Sequence, residues 1–145
     1  MRFPKHTFLF VTMISLSLVG IAQMIPNAPI ENFRLPMFNQ EGFKAWEIQG
    51  AQGLLVDETN IELVKIRLQV FSDTAAKVIE TEITSPSATM VINENRVYGT
   101  NTIRIKNKNY LITGQNWQWN GDQKTVVIQE DVLVTFFQNI GDLLQ

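Results

Sequence analysis

Apolar and polar side chains alternate along three stretches of the chain that share one layout. The stretches span residues 43–71, 78–105 and 110–136. Each contains a strand, a corner of small residues, a second strand, a polar turn and a further strand. Self-similarity at a period near thirty residues is typical of arrays in which no single copy buries its own apolar face. The pattern therefore predicts one continuous structure built from three stacked copies.

The clearest strand of the array runs from Glu62 to Phe71. On strict alternation its side chains divide into two faces: Val64, Ile66, Leu68 and Val70 on one, and Lys65, Arg67 and Gln69 on the other. A period of two with one polar face indicates an antiparallel sheet that covers a core. Nothing after the N-terminal segment has helical periodicity for more than a turn or two, so the sequence predicts an all-β protein.

Corners and turns are marked by small and polar residues. We predict corners at residues 50–53, at residues 85–87 and near Gly114, and turns at residues 57–60, 93–95 and 120–122. Asn120-Gly121 favours a two-residue type I′ hairpin turn. This turn would pair Trp119 with Asp122 and Trp117 with Lys124. Both tryptophans would then share the apolar face of the hairpin, which argues against exposed tryptophans that bind carbohydrate.

The chain divides into four segments. Residues 1–22 have a short basic start, an apolar stretch and the small residues Gly20 and Ala22, the pattern of a cleaved signal peptide. The alternative is an uncleaved membrane anchor, because ~20 apolar residues span a bilayer. Residues 23–32 are predicted to be an extended linker, 33–137 the β-domain and 138–145 a C-terminal tail. Either N-terminal reading predicts export from the cytoplasm.

Composition limits the chemistry of the exported part. Without residues 1–22 the chain has ten basic and fourteen acidic residues, a net charge of −4, and no basic cluster, so we predict no nucleic-acid partner. It also lacks cysteine and histidine, which excludes disulfides and thiol or histidine-activated catalysis. Glu80 and Glu82 fit a solvated strand face better than a catalytic pair. The Asp57–Asn60 segment fits a turn better than a calcium loop. We predict no enzyme activity, metal or cofactor.

Three groups of residues resemble a known family. They are Leu35-Pro36-Met37-Phe38 followed by Gly42, Trp46 and Ile48; Val97-Tyr98-Gly99-Thr100-Asn101 followed by Ile103-Arg104-Ile105; and Tyr110–Gly114 followed by Trp117, Trp119, Val126, Ile128, Val132, Val134 and Phe136. Together they are similar to the OstA-like periplasmic proteins of lipopolysaccharide transport, which include LptA and LptC. The resemblance implies a single twisted antiparallel β-jellyroll with a V-shaped open trough. It also implies a periplasmic role in shielding lipopolysaccharide acyl chains between the inner and outer membranes.

On this interpretation, apolar residues of the array line a lipid-binding trough. The candidates are Trp46, Val64, Ile66, Leu68, Ile79, Ile83, Met90, Ile92, Ile103, Ile105, Trp117 and Trp119. The lipid headgroup would stay outside, near Lys65, Arg67, Arg104 and Lys106, unless these four are ordinary solvent-facing charges. The alternative hypothesis is a structural or adaptor β-domain with a dry core and no lipid ligand.

The last strand is a candidate partner edge. Val132, Val134 and Phe136 lie in a β-prone segment that lacks lysine, arginine and proline. Unpaired strand edges pair with other chains unless charge or proline interrupts them. We therefore predict head-to-tail association through this strand, with copies of the same chain or with related jellyroll proteins of a transport bridge.

Overall fold

The fold is a single antiparallel sheet of eight strands. The computed structural model describes residues 28–72 and 74–137, so the predictions for residues 1–22 and 138–145 lie outside the described residues. The strands are β1 (Pro29–Phe38), β2 (Lys44–Leu55), β3 (Asn60–Phe71), β4 (Ile79–Val91), β5 (Arg96–Gly99), β6 (Ile103–Lys106), β7 (Tyr110–Asn120) and β8 (Thr125–Phe136). A single 3₁₀ turn, Ile92–Glu94, is the helical element among the described residues. The all-β prediction is confirmed.

Each predicted copy corresponds to one pair of long, bent strands. The first copy is the β2–β3 hairpin, the second is β4 with β5 and β6, and the third is the β7–β8 hairpin. β5 and β6 together act as one strand, because β4 pairs with both and so does β7. β1 pairs with β2 alone and β8 with β7 alone, which leaves β1 and β8 at the two ends of the sheet.

A line of corner residues crosses the whole sheet and folds it in two. Asn32, Lys65, Asn116 and Asp131 all have φ between 51° and 53°. The register brings Asn32 opposite Ala51, Ala51 opposite Lys65, and Lys65 opposite Pro86. These corners match the predictions at residues 50–53 and 85–87. A left-handed residue reverses the alternation of side chains along its strand. Beyond the line, positions that strict alternation would direct into the interior therefore point outward, and those that it would direct outward point into the interior.

The fold line divides the sheet into two half-sheets that pack face to face. Half-sheet 1 contains residues 29–31, 52–55, 60–64, 87–91, 96–99, 117–120 and 125–130. Half-sheet 2 contains residues 33–38, 44–50, 66–71, 79–85, 103–106, 110–114 and 132–136. The core lies between them: Trp46 of half-sheet 2 meets Trp119 of half-sheet 1 edge-on, with ring centroids 5.7 Å apart. We call the apolar space between the half-sheets the interior.

Two predicted boundaries are wrong. β1 begins at Pro29, so residues 29–32 belong to the sheet and not to the linker. The last hairpin does not turn at Asn120-Gly121, because Asn120 still pairs with Thr125 and four residues, 121–124, form the loop. The Asn120 side-chain oxygen accepts hydrogen bonds from the backbone N–H groups of Asp122 and Gln123, which stabilises the longer loop. The register changes by an even number of residues, so both tryptophans still face inward.

Candidate functional site

The interior is lined by two rows of apolar side chains that run across the strands. In half-sheet 2 the register aligns Leu35, Ile48, Leu68, Ile83, Ile105, Ile112 and Val134, one from each of seven strands. In half-sheet 1 it aligns Leu55, Ile61, Met90, Val97, Trp119 and Val126. Each row joins neighbouring strands, so the interior is one continuous apolar path from β1 or β2 to β8.

The interior is closed in its middle and opens toward β8. Ile48, Leu68 and Ile83 are completely buried. Farther along the same row Ile112 is half-buried, and Val134 is 43% exposed at the last strand. Protein side chains thus fill the central interior, whereas the inward face of β8 is open to solvent in its second half, at residues 132–136.

The structure buries nine of the twelve predicted lining residues between the half-sheets. These are Trp46, Ile66, Leu68, Ile83, Met90, Ile103, Ile105, Trp117 and Trp119. All three tryptophans are at most 3% exposed, so they do not form an exposed surface that could bind carbohydrate.

The other three predicted lining residues are exposed. Val64 is 43% exposed on the outer face, because the left-handed Lys65 reverses the alternation between Leu63 and Ile66. Ile79 is 48% exposed at the start of β4, beside a one-residue register shift opposite Phe71. Ile92 is 39% exposed because β4 has ended and the 3₁₀ turn has begun.

Sequence alternation missed several interior residues for the same reason. Ile61 and Leu63 are at most 3% exposed, yet they precede the corner and have the opposite phase to Ile66. Val97 and Phe33 also belong to the core. In β2 the glycines Gly50 and Gly53 flank the corner and indicate it. In β3 the left-handed position is occupied by a lysine, a residue that does not indicate a corner.

The four basic residues predicted near a headgroup lie on the outer face. Lys65, Arg67 and Arg104 line a shallow depression there with Thr84 and Pro86. The Arg67 guanidinium lies 3.6 Å from the Glu82 carboxylate. Lys106 is exposed beside Glu82 in the register. The sheet itself separates all of them from the interior, so these charges do not border the apolar path.

Glu47 is a buried charge on the outer face that the sequence did not reveal. Its side chain is fully buried and accepts hydrogen bonds from Arg34 of β1, from Lys44 at 2.6 Å and from Gln49 at 3.0 Å. Burial raises the pKa of Glu47, but these hydrogen bonds outweigh it and lower the pKa from 4.5 to about 2. The group joins the edge strand β1 to β2.

The other acidic candidates have structural roles. The Asp57 carboxylate accepts hydrogen bonds from the backbone N–H groups of Thr59 and Asn60 and from the Asn60 amide. These hydrogen bonds lower its pKa to about 2, and the segment forms the predicted turn.

Within residues 28–72 and 74–137, no cluster of three or more acidic, histidine or cysteine side chains could hold a metal ion. No helix in the described part of the chain is long and apolar enough to cross a membrane.

Gly121 closes the interior at the end away from the corners. A Cβ atom at Gly121 would lie 2.4 Å from the Trp46 ring, so the β7–β8 loop rests directly on that ring. The Gly121 N–H donates to the Asn95 carbonyl at 2.8 Å, and Lys124 donates to the Phe71 carbonyl at 3.2 Å. The contact of Gly121 with Trp46 and the hydrogen bond from Lys124 to Phe71 hold the ends of the two half-sheets together. A surface depression of about 580 Å³ lies outside Trp46, bordered by Met37, Phe38 and the loop.

Residues Val132, Val134 and Phe136 of β8 form an exposed apolar strip at the end of the sheet. Their exposed fractions are 53%, 43% and 43%, and Leu133 between them is 64% exposed. Phe136 touches Tyr110 edge-on with ring centroids 6.4 Å apart. Since β8 pairs with β7 alone among the described strands, one side of this strip is an unpaired strand edge within that part of the chain.

Comparisons with known proteins agree with this architecture. The chain resembles the crystal structure of LptH, described as the LptA-homologous periplasmic component of the lipopolysaccharide transport device of Pseudomonas aeruginosa. The TM-score is 0.53 at 8% sequence identity, covering 79% of this chain and 96% of LptH, which establishes the jellyroll fold. No curated protein sequence matches the chain. A sequence model described as "Lipopolysaccharide-assembly, LptC-related" matches residues 23–136, and the chain therefore belongs to this LptC-related family.

Proposed function

We propose that this protein shields the acyl chains of lipopolysaccharide in the periplasm during transfer from the inner to the outer membrane. The observation that carries the proposal is the pair of apolar rows, which continue across the sheet and emerge at Val134 and Val126 of the last strand. A path with this form suits long alkyl chains that pass from one molecule to the next. Membership of the lipopolysaccharide-assembly family supports the same ligand.

The hydrophobic effect alone supplies enough energy for such a ligand. Each buried methylene contributes about 0.8 kcal/mol, so one twelve-carbon chain contributes about 10 kcal/mol before opposing costs. The opposing cost is the separation of side chains that now touch across the interior, such as Trp46 and Trp119. Binding therefore requires the half-sheets to move apart, and the open face of β8 is where this begins with the fewest lost contacts.

A photo-crosslinker placed at single positions tests the interior as the lipid site. Ile105 is 6% exposed and faces inward, whereas its neighbour Lys106 is exposed on the outer face. In cells or membranes that contain lipopolysaccharide, we expect lipid adducts from crosslinkers at Ile105 and Leu68. Lys106 provides the matched control. Adducts from Lys106 or Lys65 alone would overturn an interior site.

We also propose that the β8 edge pairs with a related jellyroll or with a second copy of this chain. Val132–Phe137 contains no charge or proline, while β1 carries Pro29, Pro36, Glu31 and Arg34 at the other end. Joining β8 to a neighbour would cover the exposed strip and extend the apolar path. The contact uses different surfaces on the two partners, so self-association would give open chains that grow with concentration.

Proline substitution at the edge tests this contact. Along an edge strand, every second residue directs its N–H group away from the sheet. One of the two variants Leu133→Pro and Val134→Pro therefore removes an N–H group that points outward, and the other removes an N–H group that is hydrogen-bonded to β7. The variant that keeps the parental melting temperature should lose concentration-dependent association in sedimentation velocity. Val134→Thr, which keeps the donor, should associate like the parent. Parental association by the folded proline variant would contradict the choice of edge.

The periplasmic location is part of the same proposal. A signal peptide ending at Ala22 would release a soluble bridge protein, whereas an intact N-terminal segment would anchor the domain in the inner membrane. N-terminal sequencing of the exported protein separates these two forms: a start at Gln23 indicates cleavage, and a start at Met1 indicates the anchored form.

The closed centre of the interior favours a second candidate function. Ile48, Leu68 and Ile83 are completely buried by protein atoms, as in an adaptor domain that binds no lipid. Lipid extraction and native mass spectrometry of protein purified from its host envelope distinguish the two functions. Co-purified acylated lipid supports the carrier, and protein free of lipid supports the adaptor.

A further inference from the structure

Two buried indole N–H groups in the interior have no acceptor. Trp117 and Trp119 are 3% and 2% exposed, and neither Nε1 atom has a hydrogen-bond partner within residues 28–72 and 74–137. A buried donor without an acceptor destabilises the folded protein, and buried tryptophans usually find a partner. Phenylalanine would line a dry core without this cost. Two such donors at successive inward positions of one strand therefore need an explanation besides packing.

Both tryptophans belong to the buried core between the half-sheets. Trp117 and Trp119 are two residues apart on β7, so their attachment points are about 7 Å apart along the strand. The Trp117 indole lies against Gly99, where a Cβ atom would come within 2.9 Å of Nε1. Because Gly99 has no side chain, the Trp117 ring can lie against β5.

Trp119 lies near the end of the interior that the β7–β8 loop closes. Trp119 contacts Trp46, and Trp46 borders the depression of about 580 Å³ at the surface. The contacts that close this end are the Gly121 loop on the Trp46 ring and the hydrogen bond from Lys124 to the Phe71 carbonyl. A ligand that separates Trp46 from Trp119 would reach the Trp119 indole first.

We propose that the indole N–H groups of Trp117 and Trp119 donate hydrogen bonds to the ester or amide carbonyl oxygens of a bound acylated lipid. The inference rests on the proposed lipid-carrier function and adds its polar contacts. Apolar binding sites generally use a few polar groups to orient a ligand, and the carbonyl at the head of an acyl chain is an acceptor next to a long apolar tail. The alkyl chain then lies along the aliphatic rows, and the carbonyl end lies beside β7.

Replacing the indole N–H by sulfur tests the proposal with little change in shape. We would incorporate 3-benzothienylalanine at Trp117 and at Trp119 in separate variants. Affinity for purified lipopolysaccharide should fall by about 3- to 10-fold in either variant, the value of one hydrogen bond.

Stability without lipid gives an independent readout. Since the lipid-free protein leaves both N–H groups without acceptors, the analogues at Trp117 and Trp119 should melt at the same temperature as the parent or higher. A lower melting temperature would mean that the protein itself supplies the acceptor, and it would overturn the proposal. Loss of lipid affinity without loss of stability separates a ligand contact from a structural role.

The parent protein provides a test that needs no variant. Diacyl phosphatidylglycerol and its dialkyl ether analogue differ only in the two carbonyl oxygens, and we expect tighter binding of the diacyl form. Equal binding of the two lipids, or full lipopolysaccharide affinity in both tryptophan analogues, would overturn this inference and leave the carrier function intact. Failure of the parent to bind either lipid or lipopolysaccharide would overturn both.

Discussion

Replacing Glu47 by glutamine should weaken the attachment of β1 in a pH-dependent manner. The pKa of Glu47 is lowered from 4.5 to about 2 in the folded protein, which corresponds to about 3 kcal/mol of stability. Because the Arg34 side chain is 63% exposed, solvent screens part of this interaction. We therefore expect Glu47→Gln to lower the free energy of unfolding by about 2 kcal/mol at neutral pH.

The sign of the pH dependence follows from the lowered pKa. The contribution of Glu47 is nearly complete above pH 4.5 and is mostly lost as the pH falls to 2, where half of the carboxyl groups in the folded parent are protonated. Urea unfolding followed by tryptophan fluorescence should therefore show a difference between parent and variant at neutral pH and almost none near pH 2.

Glu82→Gln is the matched control for this measurement. Glu82 lies 3.6 Å from Arg67 on the same outer face, but both side chains are more than a third exposed. An exposed pair of this kind contributes about 0.5 kcal/mol or less. A Glu47→Gln variant that differs from the parent equally at neutral pH and near pH 2, or that behaves like Glu82→Gln, would refute the reasoning.

Three further substitutions test the corner line and the closed end of the interior. Leu63→Ala should lower the free energy of unfolding by about 2–5 kcal/mol and Val64→Ala by about 0.5 kcal/mol or less, because Leu63 is buried and Val64 is 43% exposed. Equal losses of stability in urea unfolding would contradict the reversal of side-chain alternation at Lys65. Gly121→Ala should lower it by about 1–3 kcal/mol, because the added Cβ would lie 2.4 Å from the Trp46 ring. Parental stability of Gly121→Ala would show that the loop does not rest on Trp46.

The sequence by itself determined the repeated two-strand unit and most of the interior. Alternation within the second half of β3 places Ile66 and Leu68 inward because hydrogen-bonded strands point successive side chains to opposite faces. Trp117 and Trp119 were correctly predicted to face inward although the predicted loop of their hairpin was too short. The register differs from the prediction by an even number of residues, which leaves each side chain on the same face of the sheet. Small residues at 50–53 and 85–87 revealed two corners.

The tertiary structure alone decided where alternation reverses and which residues the reversal exposes. Lys65 adopts a left-handed conformation that its side chain does not favour, because neighbouring strands bend at the same line. Local sequence preference cannot indicate this, so Val64 was assigned to the wrong face. The burial of Glu47 and the isolation of two indole N–H groups likewise arise from contacts between residues distant in sequence. Pairing of β1 with β2 decides the first, and packing of one half-sheet on the other decides the second.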